Sequence, residues 1–222
     1  MLSISDMFDD KAMQELHALV ATLGWRDGAE TAGHAARMVK RNLQADLSTR
    51  NGARLVAMIE NAICSHPVVI AATQPRSFAR FVISKTVTGG GYGLHVDNLF
   101  MAGQQGEIRT DVSFTVFLSN PEEYEGGELA IEHAGISQNV KLPLGDMVLY
   151  PATSLHSVTP VIKGERIVCV GWIESRVKNA ADREILFDLE NLRASLARHH
   201  AQDSVEMLTV SKVIANLLRR FS

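Results

Sequence analysis

Between residues 77 and 175 the chain is broken into short β-rich runs, and this punctuation restricts its possible folds more than any other feature. The runs at 113–119, 128–132, 139–142, 147–150 and 166–173 are separated by Gly, Pro, Asn and Asp. Strands this short cannot each bury an apolar face alone, so they must curl onto one another as a closed or nearly closed barrel. The pattern by itself does not separate such a barrel from another sandwich of two sheets.

Helical periodicity flanks the strands on both sides. Residues 11–23 place Leu16, Leu19, Val20 and Leu23 on one side, with Asp9 or Asp10 as cap. Residues 49–65 carry a stripe of Leu55, Ile59 and Ile63 that suits a sheet, and Pro67 marks the end of that helix. Residues 180–197 and 205–221 return to helical spacing, through Ile185, Leu189, Leu192 and Leu196 and then Val210, Val213, Ile214, Leu217, Leu218 and Phe221. Those stripes need cover, from the barrel's own flank or from a second copy of the chain in a homo-oligomer. The expected organisation is a domain over 1–177, with its barrel at roughly 77–175, and a helical extension over 178–222. A length of 222 residues fits one domain with appended helices.

Within the β-rich part, His95-Val96-Asp97 is followed much later by His156 and Arg166. In a strand, residues two apart share a face, so His95 and Asp97 can grip one ion. A second histidine from another strand completes a face of two imidazoles and one carboxylate, the set used by non-heme Fe(II) oxygenases, with the opposite positions open. Fe(II) with one aspartate keeps about one positive charge, and a dicarboxylic keto acid would turn this into about one negative charge. Arg166 then has a task, because arginine stays protonated when buried and grips a carboxylate through two parallel hydrogen bonds.

With these residues in place, the chain resembles the PKHD-type hydroxylases, a bacterial branch of the prolyl/lysyl hydroxylase-like Fe(II)- and 2-oxoglutarate-dependent dioxygenases. The similarity runs through His95-Val96-Asp97-Asn98, Arg109-Thr110-Asp111, Phe117-Leu118-Ser119, Tyr124-Glu125-Gly126-Gly127-Glu128-Leu129, Lys141-Leu142-Pro143, Ser154-Leu155-His156 and Val158-Thr159-Pro160-Val161. Trp25-Arg26-Asp27-Gly28, Lys40-Arg41-Asn42 and Leu186-Phe187-Asp188-Leu189 extend it over nearly the whole chain. The resemblance implies an α+β fold with a mainly β core, a double-stranded β-helix or jelly roll, backed by N-terminal helices and followed by a C-terminal helical segment. It implies iron at His95, Asp97 and His156, 2-oxoglutarate at Arg166, O2 as co-reactant and ascorbate as reductant. The implied reaction is hydroxylation coupled to decarboxylation of 2-oxoglutarate to succinate. Peptidyl proline or lysine and a small iron-chelating metabolite, with a link to iron uptake, are both substrates it suggests. One departure stands out: similar proteins carry Asn-Arg-Tyr where this chain has Ser84-Lys85-Thr86. Tyr92 is either a replacement phenol or an aromatic packed beside the glycine turn at 89–91.

Two other classes remain open at this stage: a non-catalytic sensor that keeps the metal and keto acid, and a zinc hydrolase on the same ligands, which leaves Arg166 without a task. A net charge of -3 with scattered Lys and Arg gives no footprint for nucleic acid. No apolar run approaches the ~20 residues of a membrane helix, and the acidic start lacks the parts of a signal peptide, so a cytoplasmic location is expected. Cys64 and Cys169 are expected to pack rather than pair. His17, His34, His66, His133, His199 and His200 have no carboxylate at strand spacing and are not offered as ligands. Asn98, Trp172, Arg109 and Asp111 are candidates for supporting contacts. The segments at 31–41 and 103–107 are expected to face substrate.

Overall fold

A computed structural model describes residues 1–28, 39–103, 106–133 and 135–222. The strands are β1 (Leu2–Ile4), β2 (Trp25–Asp27), β3 (Lys40–Arg41), β4 (Leu43–Ala45), β5 (Pro75–Phe78), β6 (Val82–Val87), β7 (Gly91–His95) and β8 (Phe100–Gly103). They continue with β9 (Gly106–Arg109), β10 (Val112–Phe117), β11 (Tyr124–Gly126), β12 (Leu129–His133), β13 (Ile136–Val140), β14 (Met147–Pro151), β15 (His156–Val158) and β16 (Val161–Ser175). The helices are α1 (Asp10–Val20), α2 (Arg50–Ser65), α3 (Pro67–Thr73), α4 (Ala180–Leu196) and α5 (Val205–Phe221).

Two antiparallel sheets face each other. The larger runs β1-β14-β10-β16-β6-β4-β2, with β5 and β11 also paired to β16, and the smaller runs β13-β12-β15-β7-β3. This is the expected double-stranded β-helix. Its walls also use β1 to β4 from the first 45 residues, which the sequence pattern did not mark as strands. These are runs of two or three residues, too short to show alternation, and partners in the sheets hold them.

The large sheet separates a helix-packed core from the barrel interior by simple alternation. On β16, Ile167, Cys169 and Ile173 pack toward the helices, while Arg166, Val168, Val170 and Trp172 line the cavity. On β10, Phe114 and Val116 join the helix-side core, and Phe117 points inward with Val148, Tyr150 and Val168. Leu16 of α1 and Leu55, Ile59 and Ile63 of α2 are completely buried against that outer face. Each such side chain contributes roughly 1.5–3 kcal/mol of apolar burial. Local chemistry fixes the helix starts: the Asp9 carboxylate accepts from the Ala12 N–H, and the Thr49 hydroxyl accepts from the Gly52 N–H.

Pro67 ends one helix but also begins another, at the first turn of α3, where its missing N–H leaves no bond unmade. At the C-terminus, Val177, Leu186, Val210 and Ile214 form a small core of their own between α4 and α5, with α3 packed against α4. Both cysteines are free, with Cys169 buried in the helix-side core. Among the described residues no single helix is long and apolar enough to cross a membrane.

Candidate metal centre and keto-acid pocket

Strands β7 and β15 are neighbours, and their register sets His95 directly opposite His156. The strand stops at His95, so Asp97 lies just beyond it and not within it, contrary to the simple strand reading. The two-residue relation still serves, because one ligand atom from each of His95, Asp97 and His156 falls within 4.8 Å of the others. Asp97 and His156 are nearly sealed off, at 8% and 6% side-chain exposure, with Oδ1 of Asp97 3.8 Å from Nε2 of His156.

Each imidazole is oriented by its own backbone. Nδ1 of His95 lies 2.8 Å from the Gly93 carbonyl oxygen, and Nδ1 of His156 lies 3.0 Å from that of Ser154. A carbonyl only accepts, so both Nδ1 atoms carry the proton and both Nε2 atoms present a lone pair to the centre. Burial and the neighbouring His156 ring push His95 down to about 4, which keeps it neutral and ready to ligate at neutral pH. Asp97 is aimed by Ser113, whose hydroxyl donates to Oδ2 at 2.6 Å and leaves Oδ1 toward the histidines. Tyr92 stacks on His95, with ring centroids 3.6 Å apart. Its phenol is pushed up to about 12 by burial and by Asp97, so it stays protonated. This donor set fits one divalent ion: two neutral imidazoles, one oriented carboxylate and a cavity on the remaining side.

The cavity, about 480 Å³, runs from these ligands to Arg166 on the facing sheet. Arg166 is 3% exposed and sits opposite Thr86 in the β16–β6 register, with its guanidinium 5.6 Å from the centre of the Phe117 ring. Room for its stem comes from Gly127, at φ +68°, where a Cβ would lie 3.1 Å from Cδ of Arg166. Its Nε is buried without a hydrogen-bond partner, and so is the hydroxyl of Tyr124, which influences the guanidinium from nearby. Burial pulls the Arg166 pKa down, against the opposing influence of Tyr124, Tyr150 and Glu128, yet a guanidinium keeps its proton in proteins, so the cavity wall carries a buried cation. A carboxylate entering the cavity would meet that charge and the free Nε–H.

The other sequence candidates are also accounted for. Ser84 and Thr86 face the cavity, whereas Lys85 points away, over the Trp25 ring at 4.5 Å and toward Glu165 at 3.4 Å. The Ser-Lys-Thr departure therefore places two small hydroxyl side chains on the pocket wall. Trp172 shares that interior with Arg166, as the strand alternation predicts. The Asn98 carbonyl accepts from the Thr110 hydroxyl at 2.6 Å and so fixes the turn after Asp97. Arg109 and Asp111 form a two-pronged ion pair, at 2.8 and 2.7 Å, that also holds the Ser175 backbone. Gly126 and Gly127 both have positive φ, and the β11–β16 register shifts at Gly126, confirming a bulge. His34 and most of the 31–41 segment lie outside the described residues, as do 104 and 105. Ser113 was missed from the sequence; its only sign is an inward position in the alternation of β10.

Comparison with known proteins agrees with this geometry. The signature of the 2OG-Fe(II) oxygenase superfamily matches residues 77–174. A PKHD-type hydroxylase from Hyphomonas neptunium is 49% identical over 222 residues, covering 100% of this chain and 99% of that one. Another from Acidovorax ebreus is 40% identical over 224 residues, again covering 100% and 99%. Among solved structures, a prolyl hydroxylase from Trichoplax adhaerens in complex with a hypoxia inducible factor peptide fragment superposes with a TM-score of 0.58 at 12% identity. That match covers 78% of this chain and 83% of the other, and at such identity it speaks for the fold.

Proposed function

Because this chain belongs to the PKHD-type hydroxylases of the 2OG-Fe(II) oxygenase superfamily, and is thus a 2-oxoglutarate-dependent hydroxylase using Fe(II) and O2, we propose specific roles for its residues and a substrate range. His95, Asp97 and His156 hold the iron, and Arg166 holds the far carboxylate of 2-oxoglutarate. The observation that carries this reading is the buried guanidinium of Arg166, its Nε without a hydrogen-bond partner, across one cavity from three converging ligand atoms. Bound iron and 2-oxoglutarate supply the oxidising chemistry, in which the keto acid is decarboxylated to succinate and CO2 as a substrate C–H becomes C–OH.

The protein contributes orientation and charge. Gly93 and Ser154 fix the histidine tautomers, Ser113 fixes the carboxylate, and Arg166 sets the direction in which the keto acid lies. The walls of Val82, Leu129, Val158, Val168 and Val170 keep bulk water from the reacting centre. The substrate is a prolyl or lysyl residue of a peptide, or a small iron-chelating metabolite, the two classes that the family resemblance suggests. The protein acts in the cytoplasm, with ascorbate keeping the iron reduced.

The test is succinate formation by anaerobically Fe(II)-loaded protein exposed to O2 and 2-oxoglutarate, with Asp97→Ala as blank. Succinate that depends on Asp97 is expected, from turnover uncoupled to substrate. Iron binding without any succinate, once peptide and iron-chelator substrates have been supplied, would instead favour a sensor that binds the same ligands.

A further inference from the structure

Among the described residues, the cavity lining carries more positive charge than iron and 2-oxoglutarate use. Iron with Asp97 leaves about one positive charge, a doubly charged keto acid reverses it, and Arg166 brings the sum to about zero. Lys40 is then left over. It lies on the cavity wall where β3 borders β7, with Nζ 5.6 Å from the centre of the Tyr92 ring that stacks on His95. No carboxylate among the described residues pairs with it, and burial alone pulls its pKa down, as expected of an ammonium with no counter-ion. Arg80, an exposed residue of the cavity lining, adds a second cation with no ion pair among the described residues.

One uncharged group leans the same way. Trp172 lines the cavity, and its Nε1–H is buried without a partner; an indole can only donate. Asp97, committed to the metal, is the one carboxylate among the described lining residues. Set against these donors is one buried acceptor without a partner, Oδ1 of Asn42, whose amide donates to Ser84; the charged groups left free among the described lining residues are both cations, which selects against cationic ligands and favours a ligand with acceptor oxygens.

We propose that the substrate is an anion whose carboxylate pairs with Lys40 while its reacting C–H faces the metal. This rests on the reading of the site as an Fe(II)/2-oxoglutarate centre and adds a substrate class to it. A carboxylate of this kind occurs both on a free amino-acid-like metabolite and on an acidic side chain beside the target residue of a peptide. The exposed Arg80 attracts either one from solution.

The experiment uses full-length protein loaded with Mn(II) and N-oxalylglycine, an unreactive keto-acid analogue. Paramagnetic broadening of probe protons reports probes that bind near the metal. N-acetylproline is compared with N-acetylprolinamide, and N-acetyl-Glu-Pro-amide with N-acetyl-Gln-Pro-amide, in the parent, Lys40→Met and Lys40→Arg proteins. The expected result is about tenfold tighter binding of at least one carboxylate probe than of its neutral counterpart. Lys40→Met should reduce that preference to within about twofold and Lys40→Arg should keep most of it, both with unchanged N-oxalylglycine affinity. The first pair responding identifies a free carboxylate, and the second an acidic peptide. The proposal is overturned if charged and neutral probes behave alike in the parent, whether both bind or neither does. It is also overturned if Lys40→Met weakens N-oxalylglycine itself, which would assign Lys40 to the keto acid. Failure of N-oxalylglycine to bind the parent at all would overturn the underlying dioxygenase reading, and this proposal with it.

Discussion

Ser113 shows how much one hydroxyl can decide. Its bond to Oδ2 of Asp97 fixes the carboxylate in the rotamer that faces the two histidines. Removing an outer partner of a metal ligand typically costs 10–100-fold in affinity, so Ser113→Ala should weaken Fe(II) binding by about that factor while the fold is kept. A competition titration against a metal-binding dye checks this, and unchanged affinity would mean that Asp97 needs no such support. Glu128 offers a test in pH. The Thr159 hydroxyl donates to its carboxylate and holds the group below its ordinary value of 4.5. A depressed folded pKa gives stability that is fully present above the unfolded value and is lost as pH falls through the folded one. Glu128→Gln should therefore flatten the loss of stability below about pH 4.5. Urea midpoints measured across that range would contradict this if the two proteins lost stability in parallel. At this scale the metal ligands were legible because their spacing and chemistry are distinctive. Ser113 was not, because alternation along β10 shows only that it points inward and not that it meets Asp97.

Among the elements, the bulge that joins β11 to β16 makes room for the Arg166 pocket. Gly126 sits at φ +72°, and a Cβ there would lie 2.2 Å from the Pro160 carbonyl oxygen. Gly126→Ala meets both a left-handed backbone and a backbone clash, and should destabilise the protein by about 2 kcal/mol or more. A smaller shift in the urea transition would show that the bulge yields. The paired glycines make this feature readable as a bend from the amino-acid sequence alone. Long periodic stretches were equally legible: α2, α4 and α5 begin and end within a residue or so of their sequence-derived limits. What escaped was set by tertiary contact. β1 to β4 are too short to have a pattern, and Pro67 read as a stop because sequence cannot tell a helix's end from the next one's first turn.

Across the whole molecule, the two tasks of the site are divided between the two sheets. His95 and His156 come from adjacent strands of the small sheet, with Asp97 just beyond the first, and Arg166 comes from the centre of the large sheet. Helices α1 and α2 cover the outer face of the large sheet, so its inner face is free to line the cavity. The division implies that metal and keto acid can be lost separately, as no hydrogen bond links Arg166 to the ligands among the described residues. The most direct measurement is anaerobic calorimetric titration of Fe(II), then 2-oxoglutarate, into parent, Asp97→Ala and Arg166→Ala proteins. Asp97→Ala should lose tight Fe(II) binding, whereas Arg166→Ala should bind Fe(II) like the parent and 2-oxoglutarate about a hundredfold more weakly or worse. An Arg166→Ala protein that keeps the parent's affinity for 2-oxoglutarate would contradict the account.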